Sequence, residues 1–195
     1  MVKSYATEGV VLRRNNIGEA DRIVTIYSKH SGKISFIAKG IRRSTSRKGG
    51  NLELFNQVKI FVAKGRNLDL ITEAEVINSF QDWRKDLKKI AVAYELCELV
   101  DKLSAEGVEN QEVYDLLVNY LLNLSSILED QSPARQRPSP QAMAGGLITN
   151  FELSLLQYLG FWPRGRAIGN LDLDAYIEDL INRKLYAKKF SKRLA

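Results

Sequence analysis

The sequence predicts an α+β chain in which a five-stranded barrel of the OB type precedes an all-helical part. Three observations lead there. From Tyr5 to about Phe80 apolar residues recur with period two and are punctuated by Gly and Asn; beyond Phe80 the period becomes helical; and the net charge changes sign at the same place. Residues 1–80 carry +7, residues 81–130 carry −6 and residues 131–195 carry +5, within a total of +6. At 195 residues the chain has room for one domain or two compact ones. The expected division is a barrel over 1–80 and a helical domain over 81–195.

Each strand has its own signature. Glu8–Arg13, Arg22–Ser28, Lys33–Ala38, Gln57–Ala63 and Leu68–Ile77 are rich in Val, Ile, Thr and aromatic residues. Asn15-Asn16-Ile17-Gly18, Lys29-His30-Ser31-Gly32 and Lys64-Gly65-Arg66-Asn67 supply the residues that tight reversals require. One long connector lies between the third and fourth strands, as in an OB barrel. A five-stranded SH3-like barrel or an open meander has the same spacing.

The helical part begins with Gln81–Ala105, which places Leu87, Ile90, Ala91, Tyr94 and Cys97 at helical spacing and ends at Glu106-Gly107. A second helix starts from an Asn110 cap, and Val113, Leu116, Leu117, Tyr120, Leu121, Leu124, Ile127 and Leu128 form one stripe along it. Three of the four prolines fall in 131–141, which reads as a linker or loop. A helix over Ala142–Leu159 stops at Gly160, and another runs from an Asp172 cap to about Phe190.

The connector after the third strand carries the chemistry. In the stretch Lys33–Lys48, six residues are basic (Lys33, Lys39, Arg42, Arg43, Arg47 and Lys48) and none is acidic. Such one-signed density repels itself unless an anion sits among its members, so it reads as a polyanion contact; a solvated loop that serves only solubility is the alternative. Arg13, Arg14, Lys64 and Arg66 are further candidates for phosphate contact. Tyr5, Tyr27, Phe36 and Phe61 could stack unpaired bases. Alternation sends about half of such residues into a barrel core, so no single one of them is assigned.

Other chemistries are poorly represented. Neither a G-x-x-x-x-G-K-[ST] loop nor a G-x-G-x-x-G turn is present. Cys97 and His30 are single representatives of their types, too few for the four ligands of a structural zinc site. Cys97 lies on an apolar stripe and reads as a buried thiol, and His30 as a turn residue. Glu19 and Asp21 could hold a magnesium ion in a nuclease, although turn solvation and pairing with Arg22 account for them more simply. No cofactor, no metal ligand and no catalytic residue is assigned. The start lacks the pattern of a signal peptide and no window is apolar enough to span a bilayer, so a soluble cytoplasmic protein without a membrane partner is expected.

The run Gly18-Glu19-Ala20-Asp21-Arg22-Ile23-Val24-Thr25-Ile26-Tyr27-Ser28, followed by Ser31-Gly32-Lys33 and Ala38-Lys39-Gly40-Ile41-Arg42-Arg43-Ser44, resembles the N-terminal signature of the bacterial RecO recombination-mediator proteins. Phe151-Glu152-Leu153 through Leu159-Gly160-Phe161-Trp162-Pro163 is similar to that family's second landmark. Where many members then carry a Cys-x-x-Cys zinc module, this chain has Arg164-Gly165-Arg166. The resemblance implies a non-enzymatic protein that binds single- and double-stranded DNA, anneals complementary strands and helps load RecA on DNA coated by single-strand-binding protein, with RecR as partner. It also implies that the helical part holds the C-terminal tail of single-strand-binding protein. An acidic, apolar-ended tail needs an apolar pocket rimmed by cations, for which Leu156, Leu159, Phe161, Trp162, Arg164 and Arg166 are candidates; the alternative is that Phe161 and Trp162 close the helix end against the core. An RNA-binding or ribosome-associated OB protein has the same charges and is the rival reading.

Overall fold

The period-two region forms five strands in the computed structural model of the protein, which describes residues 4–46, 48–128, 140–166, 168, 169, 171–182, 185 and 186. They are β1 (Ser4–Ile17), β2 (Asp21–Ser28), β3 (Gly32–Ala38), β4 (Gln57–Ala63) and β5 (Asp69–Asn78), closed into a barrel in the order β1-β2-β3-β5-β4. Inward alternation fills it with Val11, Val24, Ile26, Phe36, Val58, Ile60, Val62 and Ile71, joined by Ile41 and Leu52 from the long connector. Each fully buried side chain of this size contributes about 1.5–3 kcal/mol relative to its exposed state.

Strand β1 runs through Asn15-Asn16-Ile17, residues expected in a turn. It is long because it serves two neighbours: Ser4–Val10 pair with β4, and Gly9–Ile17 pair with β2. The register slips between Val11 and Arg13, a bulge that bends the strand from one partner to the other.

Closure on the other side is narrow. Strand β3 meets β5 in parallel through only Phe36 with Asp69 and Ile37 with Leu70. Beyond that pairing a short helix, α1 (Lys48–Asn51), takes over: Lys48 Nζ donates to the Ile71 carbonyl at 3.1 Å and Asn51 Nδ2 to the Ala74 carbonyl at 2.7 Å. Side chains thus satisfy acceptors on β5 that a longer β3 would have taken.

The chain divides into two compact units, and the division is not sequential. Ser104–Tyr114 belongs with Met1–Ser79, while Phe80–Leu103 belongs with Asp115–Ala195. In the first unit the Gly107 amide donates to the Lys33 carbonyl at 2.8 Å, and Glu106 bridges Lys33 in parallel. Tyr114 Oη accepts from Gln57 Nε2 at 3.0 Å, and Tyr27 Oη reaches the Asn110 carbonyl at 3.4 Å. Tyr27, on the outward side of β2 by alternation, is wholly buried as a result. Burial pushes its hydroxyl up to about 12, with Ser104 acting in the opposite sense.

In the second unit, α2 (Leu87–Leu103) is buried nearly all round, through Ala91, Val92, Leu96, Leu99 and Val100, and includes the buried Cys97, whose thiol burial pushes far up its scale. The Asn110 cap, which belongs with the first unit, is present, its Oδ1 accepting from the Val113 amide at 3.1 Å at the start of α3 (Gln111–Leu122). The single helix expected through Leu128 breaks at Asn123. Its backbone amide and its side-chain Nδ2 both donate to the Asn119 carbonyl, at 3.1 and 2.8 Å, and α4 (Leu124–Leu128) follows. Trp83 is buried and donates from Nε1 to the Leu121 carbonyl at 2.8 Å.

Helix α5 (Pro140–Tyr158) starts inside the segment expected as linker, with proline at its first position; residues 131–139 of that segment lie outside the described ones. Helix α6 (Leu173–Ile181) has the expected Asp172 cap, Oδ1 accepting from the Ala175 amide at 3.2 Å, but ends at Asn182 in the left-handed conformation rather than near Phe190. Among the described residues no helix is long and apolar enough to cross a membrane.

Gly32 has φ +62°, and a Cβ placed there would lie 1.8 Å from the Val108 carbonyl oxygen. Gly18 has φ +54° with nothing within 4 Å of such a Cβ. Gly32→Ala is therefore expected to lose about 1–3 kcal/mol through strain plus the cost of displacing Ser104–Tyr114, and Gly18→Ala only the former. Chemical denaturation of both variants checks this, and equal losses would show that the close approach of Val108 carries no weight.

Candidate nucleic-acid interface

The basic loop leaves β3 at Ala38 and is latched at once to the turn between β1 and β2. Gly40, at φ +64°, donates its amide to Asp21 Oδ1 at 2.7 Å. The Arg42 amide donates to the Ala20 carbonyl at 2.9 Å, and Arg42 Nη1 to the Gly18 carbonyl at 3.2 Å. Two further turns follow, Arg43 N to the Gly40 carbonyl at 3.1 Å and Ser46 N to the Arg43 carbonyl at 2.9 Å. Ile41 points inward and is buried in the barrel core. With Ile41 inside, Lys39, Arg42 and Arg43 are exposed around it. Three cations therefore stand on a braced backbone, which lowers the ordering cost of meeting an anion.

The remaining basic candidates differ in their surroundings. Lys48 closes the barrel seam through the Ile71 carbonyl. Arg14 Nη1 pairs with Glu53 Oε1. Lys64 Nζ lies 3.0 Å from Asp69 Oδ2 and 5.0 Å from the centre of the Tyr5 ring. Lys33 is half-buried where Glu106 and Gly107 meet β3. Arg13 and Arg66 are exposed, and Arg47 lies outside the described residues.

Asp69 organises the turn between β4 and β5. Burial favours its neutral form, but the Gly65 amide, the Lys64 ammonium and the Tyr5 hydroxyl together hold it below the usual carboxylate range. Tyr5 Oη donates to Asp69 Oδ2 at 2.8 Å, and burial followed by this bond pushes the phenol up to about 12. Of the four aromatic candidates, Tyr27 and Phe36 are buried and cannot stack a base, whereas Tyr5 and Phe61 are half-buried. Lys59 Nζ sits 5.5 Å from the centre of the Phe61 ring.

The acidic pair is put to a use that sequence reading missed. Arg22 Nε donates to Asn16 Oδ1 at 2.9 Å. Asp21 accepts from Gly40, nineteen residues away in sequence, and Glu19 is exposed. A glycine two residues past the end of a strand signals a positive-φ position, but nothing local identifies the carboxylate that receives its amide.

The second landmark forms a self-bonded corner. Gly160, at φ +80°, ends α5, and the Phe161 and Trp162 amides both return to the Leu156 carbonyl, at 2.8 and 3.2 Å. Leu156 is fully buried, which removes it from the proposed pocket because its side chain is part of the core. Leu159 is half-buried, and Phe161 is 41% exposed. Trp162 packs edge-on against Tyr176 with centres 5.7 Å apart, and its Nε1 donates to the Arg166 carbonyl at 3.0 Å. Arg166 lies 5.2 Å from the Trp162 ring centre and Arg164 5.5 Å from that of Tyr158. Both arginines stand on aromatic faces, an arrangement that leaves their charge exposed.

A family model described as Recombination protein O N terminal matches residues 1–80, and one described as Recombination protein O C terminal matches residues 84–167. The chain is similar to the DNA repair protein RecO of Symbiobacterium thermophilum, 37% identical over 159 residues, which cover 82% of this chain and 58% of the relative. It is 34% identical over 160 residues to that of Roseiflexus sp. (strain RS-1), covering 82% of this chain and 51% of the relative. For the protein of Bifidobacterium longum (strain NCC 2705) the identity is 36% over 164 residues, with 82% and 62% covered. The chain thus spans between 51% and 62% of the length of these relatives.

The different uses of the cations give an expectation for stability. Lys48→Met keeps the aliphatic stem but leaves the Ile71 carbonyl without its donor, at a cost of about 1–3 kcal/mol. Lys39→Ala, on an exposed side chain, should stay within about 0.5 kcal/mol of the parent. Thermal melts compare the two, and equal stability would mean that Lys48 does not help to close the seam.

Proposed function

The chain belongs to the recombination protein O family, and from that premise we propose that it is a non-enzymatic DNA-binding protein of recombinational repair. The observation that carries this reading is the latched loop with Lys39, Arg42 and Arg43 exposed around the buried Ile41. Guanidinium and ammonium groups on a braced backbone suit phosphate oxygens. Phosphate contacts carry no sequence information, so binding through them is independent of sequence. Neutralising two strands on one basic surface lowers their mutual repulsion, which is the physical requirement for annealing. The finer proposals are annealing of complementary strands and assistance to RecA loading on DNA coated by single-strand-binding protein, with RecR as partner. For the tail of single-strand-binding protein, the exposed Phe161 beside Arg164 and Arg166 supports a docking point on the second unit. Asp21 is bonded to the Gly40 amide, which supports a structural rather than a metal-binding use of the acidic pair.

Replacing Lys39, Arg42 and Arg43 together by Ala should weaken binding to single-stranded DNA of any sequence. It should also flatten the plot of log affinity against log salt by roughly 0.7 for each phosphate no longer neutralised, so by roughly 2 if each of the three cations meets one. Lys64→Ala should change that slope less, because Lys64 is already paired with Asp69. An unchanged slope in the triple variant would remove the loop from the site. Competition between matched DNA and RNA oligonucleotides in the same assay tests the choice of polymer, and a strong RNA preference would defeat the repair reading.

A further inference from the structure

We propose that Asp21 is a positioning residue for nucleic-acid binding, an acid whose removal weakens a polyanion site; this rests on the reading of the basic loop as the phosphate contact. Coulomb's law alone predicts the opposite. A carboxylate next to a cluster of cations lowers the local positive potential, so neutralising it should raise affinity for DNA. The geometry points the other way because Asp21 is bonded to the backbone of the loop rather than to its cations. Its Oδ1 accepts from the Gly40 amide at 2.7 Å, a short charge-assisted bond made where φ is +64° and the chain reverses out of β3. That bond fixes the direction in which the next three residues leave. Ile41 enters the core, the Arg42 amide reaches the Ala20 carbonyl at 2.9 Å, and the Arg43 amide closes a turn on the Gly40 carbonyl at 3.1 Å.

The anchoring points are all near Asp21 in sequence: Gly18 and Ala20 supply the two carbonyls that hold Arg42. Asp21 itself is the first residue of β2 and pairs with Ile17 of β1. The brace is therefore fixed to the sheet at one end and to the loop at the other. Without it the loop would keep Ile41 and the two Arg42 bonds as anchors but would lack the hydrogen bond that sets its exit from β3, so part of the ordering of its cations would fall at the moment of binding.

Three substitutions in the full chain separate position from charge. Asp21→Asn retains an oxygen that can accept from Gly40 and removes the charge. Asp21→Glu retains the charge and moves the acceptor by one methylene. Asp21→Ala removes both. Binding to a fluorescent single-stranded oligonucleotide is measured across a salt series, together with thermal melts and the rate of tryptic cleavage at Lys39, Arg42 and Arg43. If Asp21 positions the loop, Asp21→Asn binds at least as tightly as the parent. Asp21→Glu and Asp21→Ala bind more weakly, by about fourfold at 0.15 M salt for each phosphate no longer neutralised, with flatter salt dependence and faster cleavage in the loop. Asp21→Glu keeps the test decisive should Asp21→Ala fail to fold, because its net charge equals that of the parent.

Tighter binding by Asp21→Ala, or parental affinity and slope in Asp21→Glu, would overturn the proposal. The Lys39, Arg42 and Arg43 triple variant, run alongside, separates the role of the loop from that of its brace. If it retains the parental slope, the loop is not the site and both readings fall. If its slope flattens while that of Asp21→Glu does not, only the positioning role falls.

Discussion

The barrel closes on a very short seam, and the arrangement of the basic loop follows from how that seam is completed. Two residue pairs are all that joins β3 to β5. Further along β5, the acceptors at Ile71 and Ala74 are reached by Lys48 and Asn51 of α1. Buried backbone acceptors left without donors would cost more than the seam gains. The connector from Ala38 must therefore deliver α1 to that position, and Leu52 into the core beside it. Its two ends are fixed by the requirements of the sheet. Only the part between them is free to present side chains, and that part holds Lys39, Arg42 and Arg43 on the surface.

Much of this is legible in the sequence, for identifiable reasons. The strands β2, β3 and β4 have nearly the expected limits because alternation and glycine punctuation are local signals. The start of the helical region is visible as a change of period, and Asn110 and Asp172 cap their helices as their types suggest. What cannot be read are partnerships between residues far apart in sequence. Lys39 and Lys48 look alike in the chain, yet one is exposed and the other completes a seam. Tyr27 follows the strand pattern but lies under residues that come eighty positions later. The extension of β1 through Ile17 depends on a bulge at Leu12 that no residue type announces. The break at Asn123 has a signal, an Asn in mid-helix, that the unbroken apolar stripe outweighs.

The second unit shows how a sequence landmark can be structural and exposed at once. Leu156 gives its side chain to the core and its carbonyl to the two amides that end the helix. Those two amides belong to Phe161 and Trp162, so the aromatic pair is held by the backbone of the residue that anchors the helix. Tyr176 Oη then donates to the Phe161 carbonyl at 2.9 Å, fixing the corner from α6 as well. Phe161 can remain exposed because the backbone beneath it, and not its own burial, determines where it stands.

The return of Ser104–Tyr114 to the barrel has a consequence for vectorial synthesis. The last strand ends at Asn78, but the residues that cover Tyr27 and bridge Lys33 are made only after the whole of α2 has been translated. A ribosome that has just released β5 therefore holds a barrel whose β2 aromatic lacks that cover, and whose β3 lacks its bridge to Glu106. The bond from Tyr27 to Asn110 spans more than eighty residues of sequence, so closing it carries a larger loop-closure entropy than the hairpins that precede it. The unit is completed late, and α2 has to leave the exit tunnel before the unit containing the barrel can be finished.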